Sequence, residues 1–167
     1  MNKTNWKDIA ELIGIAAIVA SLVFVGMQMQ QDRVHARAEL GADSFSNLAS
    51  ISLEMTSDEF APIFAKAIEE PGELTTAERL QVNGYLEAFT YLILRDCYLK
   101  ERDVFVECEV IVREYGPRFF GNHYAQSWWR LQNPADLTFM PSWVDAVITG
   151  IDPDSNIELL DALQGKE

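Results

Sequence analysis

The sequence is poor in basic residues: 13 Lys and Arg stand against 26 Asp and Glu, for a formal net charge of −13 at pH 7. Affinity for nucleic acid rests on clustered Lys and Arg that neutralise phosphates, so this balance argues against nucleic acid as a partner. The charges around the start of the N-terminal apolar run, Lys3, Lys7, Asp8 and Glu11, cancel, and the rest of the chain carries the whole excess. Histidine is scarce too, with only His35 and His123. A di-iron bundle draws Glu-x-x-His from two helices, yet the residues three before these histidines are Asp32 and Phe120. Asp32 and His35 neighbour each other on a helix but have no further clustered ligands, so no metal is expected.

Cysteine is nearly absent. Cys97 and Cys108 have no Cys or His partner at zinc spacing. Eleven residues apart in what reads as helix, they would stand about 16 Å apart at a rise of 1.5 Å per residue, beyond disulfide reach. Two free thiols point to a reducing compartment. Gly-x-Ser-x-Gly is missing, as is a glycine-rich loop with Lys to cradle phosphate. Asp96, Glu101, Asp103, Glu107 and Glu109 are dense, but in so acidic a chain they read as a solvated face. The expectation is no catalytic residue and no cofactor. Nothing alternates with period two, so strands are not expected and the fold class is all-α.

What is present is an apolar run. LIGIAAIVASLVFVGM, Leu12 to Met27, contains no charge and extends to Met29 and back to Ile9 across Glu11. That makes about 18 to 21 residues, the length that a hydrocarbon core of about 30 Å requires. A cleaved signal peptide is the rival reading, with Ala36-Arg37-Ala38 as cleavage site, but a polar stretch longer than the usual spacer separates Met27 from Ala36. The expectation is a single-pass transmembrane helix in the lipid bilayer, continuing unbroken toward Leu40. Lys3 and Lys7 on one side nearly balance Arg33 and Arg37 on the other. The thiol argument tips the body to the cytoplasmic side.

Within the span, Ala10, Gly14, Ala17 and Ser21 recur at spacings of four, three and four, and Gln28 follows in line. Small residues let helix backbones approach closely, and Ser or Gln can hydrogen-bond across the seam, so this face is a candidate for membrane-helix association. Ala and Gly are also simply common in membrane helices.

Beyond the span, the first helix is expected to reach about Met55, with Leu40, Phe45, Leu48, Ile51 and Met55 facing a partner. Thr56 with Glu59 has capping-box spacing and opens a helix from Asp58 to Glu69, ended by Pro71-Gly72. Thr75 with Glu78 repeats the pattern before the longest body helix, Ala77 to Lys100, whose Leu80, Tyr85, Leu86, Phe89, Leu92, Ile93 and Tyr98 form an apolar band. Asp103 caps a helix from Val104 to Tyr115 that Gly116-Pro117 stops, and Arg118 to Arg130 reads as the next. Pro141-Ser142 precedes a helix through Val144 to Ile148. Ser155 with Glu158 opens a weak terminal helix. The division is an anchor over 1–30, a helical bundle over 31–150 and an acidic tail over 151–167.

The apolar span leading into VGMQMQQDRVHAR, then LTTAERLQVNGYLEAFTYL, REYGPRFFGNHYAQSWW and FMPSWVDAVI, resembles a broad group of uncharacterised bacterial membrane-anchored helical proteins. The likeness covers about Glu11 to Ile148. It implies bacterial origin, an inner-membrane anchor and a helical body, and carries over no functional residue.

Tyr115, Phe119, Phe120, Tyr124, Trp128 and Trp129 concentrate aromatic surface in one stretch. Such residues fill cores, and they also carry much of the energy of protein contacts. Trp128 and Trp129 lie about 100° apart on a helix, so a partner surface at Tyr124, Trp128 and Trp129 is the alternative to a broad buried sector. The leading reading is a non-enzymatic interaction module, a homo-oligomer or an accessory subunit of a larger membrane complex. The alternative is a tethered sensor holding a small apolar ligand in the bundle core. A divergent hydrolase is a weaker third.

Overall fold

The computed structural model describes residues 3–101, 108–132, 140–163 and 165. Every regular element among them is helical. The chain divides into two units, Met1–Leu40 and Gly41–Glu167. No buried residue precedes Ser44 among those whose burial is described, because the side chains before it have no core to join.

Helix α1, Lys3–Met55, belongs to both units. It contains no proline, and its apolar run has no polar turn signal. In the second unit its buried seam is Ser44 and Leu48, with Ile51 and Met55 packed at the edge of the core, a spacing of four, three and four. Phe45, one position off that seam, is half exposed.

A tight turn joins α1 to α2, Ala61–Glu69. The expected Thr56–Glu59 capping box does not form: the Thr56 hydroxyl donates back to the Leu53 carbonyl, and Ser57 Oγ instead accepts from the Phe60 amide. Pro62 sits in the first turn of α2, where its missing N–H costs nothing. After a 3-10 turn at Pro71–Glu73 comes α3, Thr76–Glu101. Here the capping box is real: the Glu78 carboxylate accepts from the Thr75 amide at 2.6 Å and Thr75 Oγ1 from the Glu78 amide at 3.3 Å. Along α3, Val82, Tyr85, Leu86, Phe89, Leu92, Ile93 and Cys97 are buried. Leu80, expected in the band, is 67% exposed.

One turn of helix, α4 (Cys108–Val110), passes into a π-helix, Ile111–Tyr115, and then α5, Gly116–Phe120. Gly116-Pro117 therefore does not stop the helical run: Gly116 keeps helical angles (φ −48°, ψ −44°), and Pro117 falls in the first turn of α5. Asp103, the expected cap of this stretch, lies outside the described residues.

The continuous helix expected over Arg118–Arg130 is split at Gly121-Asn122. Asn122 turns extended (φ −143°, ψ 156°), and its side chain accepts from the Ala125 amide at 2.8 Å, capping α6, His123–Leu131. Next come α7, Ser142–Thr149, and α8, Ser155–Leu163. Helix α8 is held to the break between α5 and α6. The Asn156 amide donates to the Gly121 carbonyl at 2.9 Å, and its side chain donates to the Arg118 carbonyl at 3.3 Å. A Cβ on Gly121 would overlap Ser155 Oγ and the Pro117 carbonyl, and would lie 2.9 Å from Asn156 Oδ1. Only glycine permits that approach.

Aromatic rings run through the core of this unit. Phe64 meets Tyr85, Tyr85 stacks on Phe119, and Phe119 lies parallel to Phe89 with centroids 3.6 Å apart. Phe120 then bridges Phe89 to Trp129. Gln126 ties the elements together by donating to the carbonyls of Phe120 (3.0 Å) and Ile148 (2.8 Å). Each truncation of such a ring is expected to cost about 3–5 kcal/mol.

Candidate binding surfaces

Ala10, Gly14, Ala17, Ser21 and Gln28 all lie on exposed helix in the first unit. Nothing stands within 4 Å of a Cβ placed on Gly14. Leu12, Ile13, Ile18, Leu22, Phe24 and Met27 are each at least 60% exposed, so apolar side chains cover the helix all round. Its most apolar 18-residue window has a mean hydropathy of 2.4 and none of it is buried, making α1 long and apolar enough to cross a membrane. A water-soluble helix with this surface would need a partner to cover it.

The aromatic stretch is placed differently. Trp129 is fully buried and Trp128 nearly so, while Tyr124 is partly exposed. Trp129 Nε1 donates to Asp145 Oδ1 at 2.9 Å, which satisfies the indole inside the core. The two tryptophans can both be buried because α6 is covered on a broad sector, Phe120 meeting Trp128 and Trp129 together. Neither offers a free partner surface. Tyr124 donates to Asn83 Oδ1 at 2.9 Å, and partial burial raises its phenol above the ordinary range.

Cys97 and Cys108 are joined in a disulfide, with Cα atoms 4.9 Å apart and both residues buried. The expected free thiols are corrected by this pairing. The 16 Å separation assumed one helix, whereas Cys97 belongs to α3 and Cys108 begins α4. The argument for a reducing compartment falls with it, since such bonds persist in oxidising ones.

Beside the disulfide, Asp96 is fully buried and accepts a hydrogen bond from the equally buried Ser44 hydroxyl. Among the described residues Asp96 Oδ1 has no hydrogen-bond partner, and neither does Arg95 Nη1. Burial pushes the Asp96 carboxyl above its ordinary value, against the opposing effects of the Ser44 bond and the Arg95 charge. Glu78 shifts the other way, down to about 2, because the Thr75 amide and hydroxyl and then Lys66 bind its charged form. Among the described residues no three His, Cys, Asp or Glu side chains gather as metal ligands.

A groove of about 470 Å³ lies between the end of α1, the turn before α2, and α3. Phe60 and Tyr85 form buried wall, Glu54 and Glu59 are exposed at its edge, and Gly84 leaves open space where a side chain would stand. Among the described residues the buried Tyr85 hydroxyl has no hydrogen-bond partner, and burial raises its pKa. Sequence reasoning did not find this groove or the Ser44–Asp96 contact, since each joins residues far apart in the chain. Gly84 inside a strong helix was the one local hint.

Fold and surfaces together define a small all-helical protein with one helix capable of spanning a membrane. Comparison with protein-family models, with curated proteins and with solved structures found no match.

Proposed function

We propose that this chain is a single-pass membrane protein of the bacterial inner membrane whose helical body acts as a non-enzymatic interaction module, self-associating or serving as an accessory subunit of a membrane assembly. The observation that carries the reading is the wholly unburied apolar window of α1. Lipid is the solvent in which such a surface needs no protein cover. Trp6, 77% exposed beside Lys3 and Lys7, suits one interface, and Arg33 and Arg37 suit the other. Bacterial origin rests on the resemblance in sequence layout. The buried disulfide supports a body on the oxidising side, the reverse of the side that free thiols would favour. An apolar ligand inside the core has less support, because Phe89, Phe119, Phe120 and Trp129 pack on one another.

The test is association through the small-residue face. Replacing Gly14 and Ala17 together by Leu keeps the span apolar while holding helices apart. Native mass measurement in gentle detergent should show a smaller oligomer for this double variant and no change for Ile15→Leu with Val19→Leu. Equal masses for both doubles would sink the assignment of association to this face.

A further inference from the structure

We propose that the groove between α1, the α1–α2 turn and α3 binds a small organic cation, an ammonium group carried on an apolar or aromatic body. Its chemistry is one-sided. Phe60 and Tyr85 supply aromatic wall, Glu54 and Glu59 supply two carboxylates at the edge, and among the described residues no Lys or Arg contributes to the lining. Among the described residues neither carboxylate has an ion pair, whereas Lys66 and Arg113 are engaged with Glu78 and Glu109. An aromatic face attracts a cation through its quadrupole, and a nearby carboxylate adds to that attraction.

The space fits such a ligand. A volume near 470 Å³ lies within the ordinary range for small-molecule sites. Gly84 widens the groove, since nothing lies within 4 Å of the Cβ it lacks, although glycine inside a helix is less favourable than alanine. Tyr85 also carries a buried hydroxyl without a hydrogen-bond partner among the described residues, where a buried phenol ordinarily finds one. An ammonium near Glu54 and Glu59 would leave its apolar body against Phe60 and over Gly84. The site lies entirely within Gly41–Glu167 and does not depend on how the anchor is read.

The experiment titrates the full chain, in a non-ionic detergent, with phenethylammonium and separately with phenethyl alcohol. Binding is followed at the isotope-labelled methyl of Ala88, which lines the groove. The ammonium should bind about fivefold or more tightly than the alcohol, as expected for a cation over an aromatic face beside carboxylates. Glu54→Gln with Glu59→Gln should erase that preference. Gly84→Phe should block both probes, and its Cβ meets no atom that would unfold the helix. Glu73→Gln with Glu87→Gln removes the same charge from exposed positions outside the lining and should change nothing. Equal affinity for the two probes, an equal loss in both double Gln variants, or no Ala88 response would overturn the proposal.

Discussion

Ser44 on α1 and Asp96 on α3 are 52 residues apart in sequence and share a hydrogen bond with neither residue exposed. The contact fixes the carboxyl end of α1 against the longest body helix, and it places an acid where water cannot solvate its charge. The folded-state pKa of Asp96 is raised above the ordinary 3.8, so its neutral form is the one the fold favours. Its contribution to stability is therefore fully present below 3.8 and is lost as pH rises through the raised value. Asp96→Asn should stabilise the protein by about 1 kcal/mol at pH 8 and by much less at pH 4. Urea unfolding of both proteins at the two pH values measures the difference. Parallel profiles would show that Asp96 ionises in the fold without cost.

The Cys97–Cys108 bridge links α3 to α4 across an 11-residue separation. Its reduction should lower stability by about 2–3 kcal/mol, the scale for closing a short loop. A reporter cysteine at the exposed Leu163 position, Leu163→Cys, should react with an impermeant maleimide in intact cells if the body faces the oxidising side. Labelling only after permeabilisation would return the body to the cytoplasm.

Gly121→Ala tests the docking of α8. The added methyl overlaps Ser155 Oγ and the Pro117 carbonyl, so either α8 shifts or the α5 turn does. The expected cost is about 1–3 kcal/mol, with faster amide exchange over Asn156 to Leu163 than elsewhere in the body. Unchanged exchange in α8 would show that the contact is not what holds it.

Val19→Arg tests the anchor. An arginine at the middle of a span costs about 2.5–3.5 kcal/mol of insertion, enough to deplete the protein from carbonate-washed membranes. Full retention would mean that α1 is not the membrane-crossing element.

Local signals determined the elements that depend on near neighbours. An uncharged run of bilayer length specified the apolar helix, the Thr75–Glu78 box set the start of α3, and Pro141-Ser142 marked α7. The all-α class followed because helical periodicity persisted while strand alternation was missing. Tertiary structure decided the rest. Gly116-Pro117 is followed by α5 in place of a stop, because proline is harmless in a first turn. Gly121 breaks the next helix and lets α8 approach, and no local pattern distinguishes that glycine from a flexible one. Cys97 and Cys108 pair because they belong to different helices, α3 and α4, which a spacing argument that assumes one helix cannot see. Trp128 and Trp129 are both core because the sector buried around α6 is broad, a property of its neighbours and not of its own sequence. Periodicity reports which residues share a face; only packing decides what covers that face.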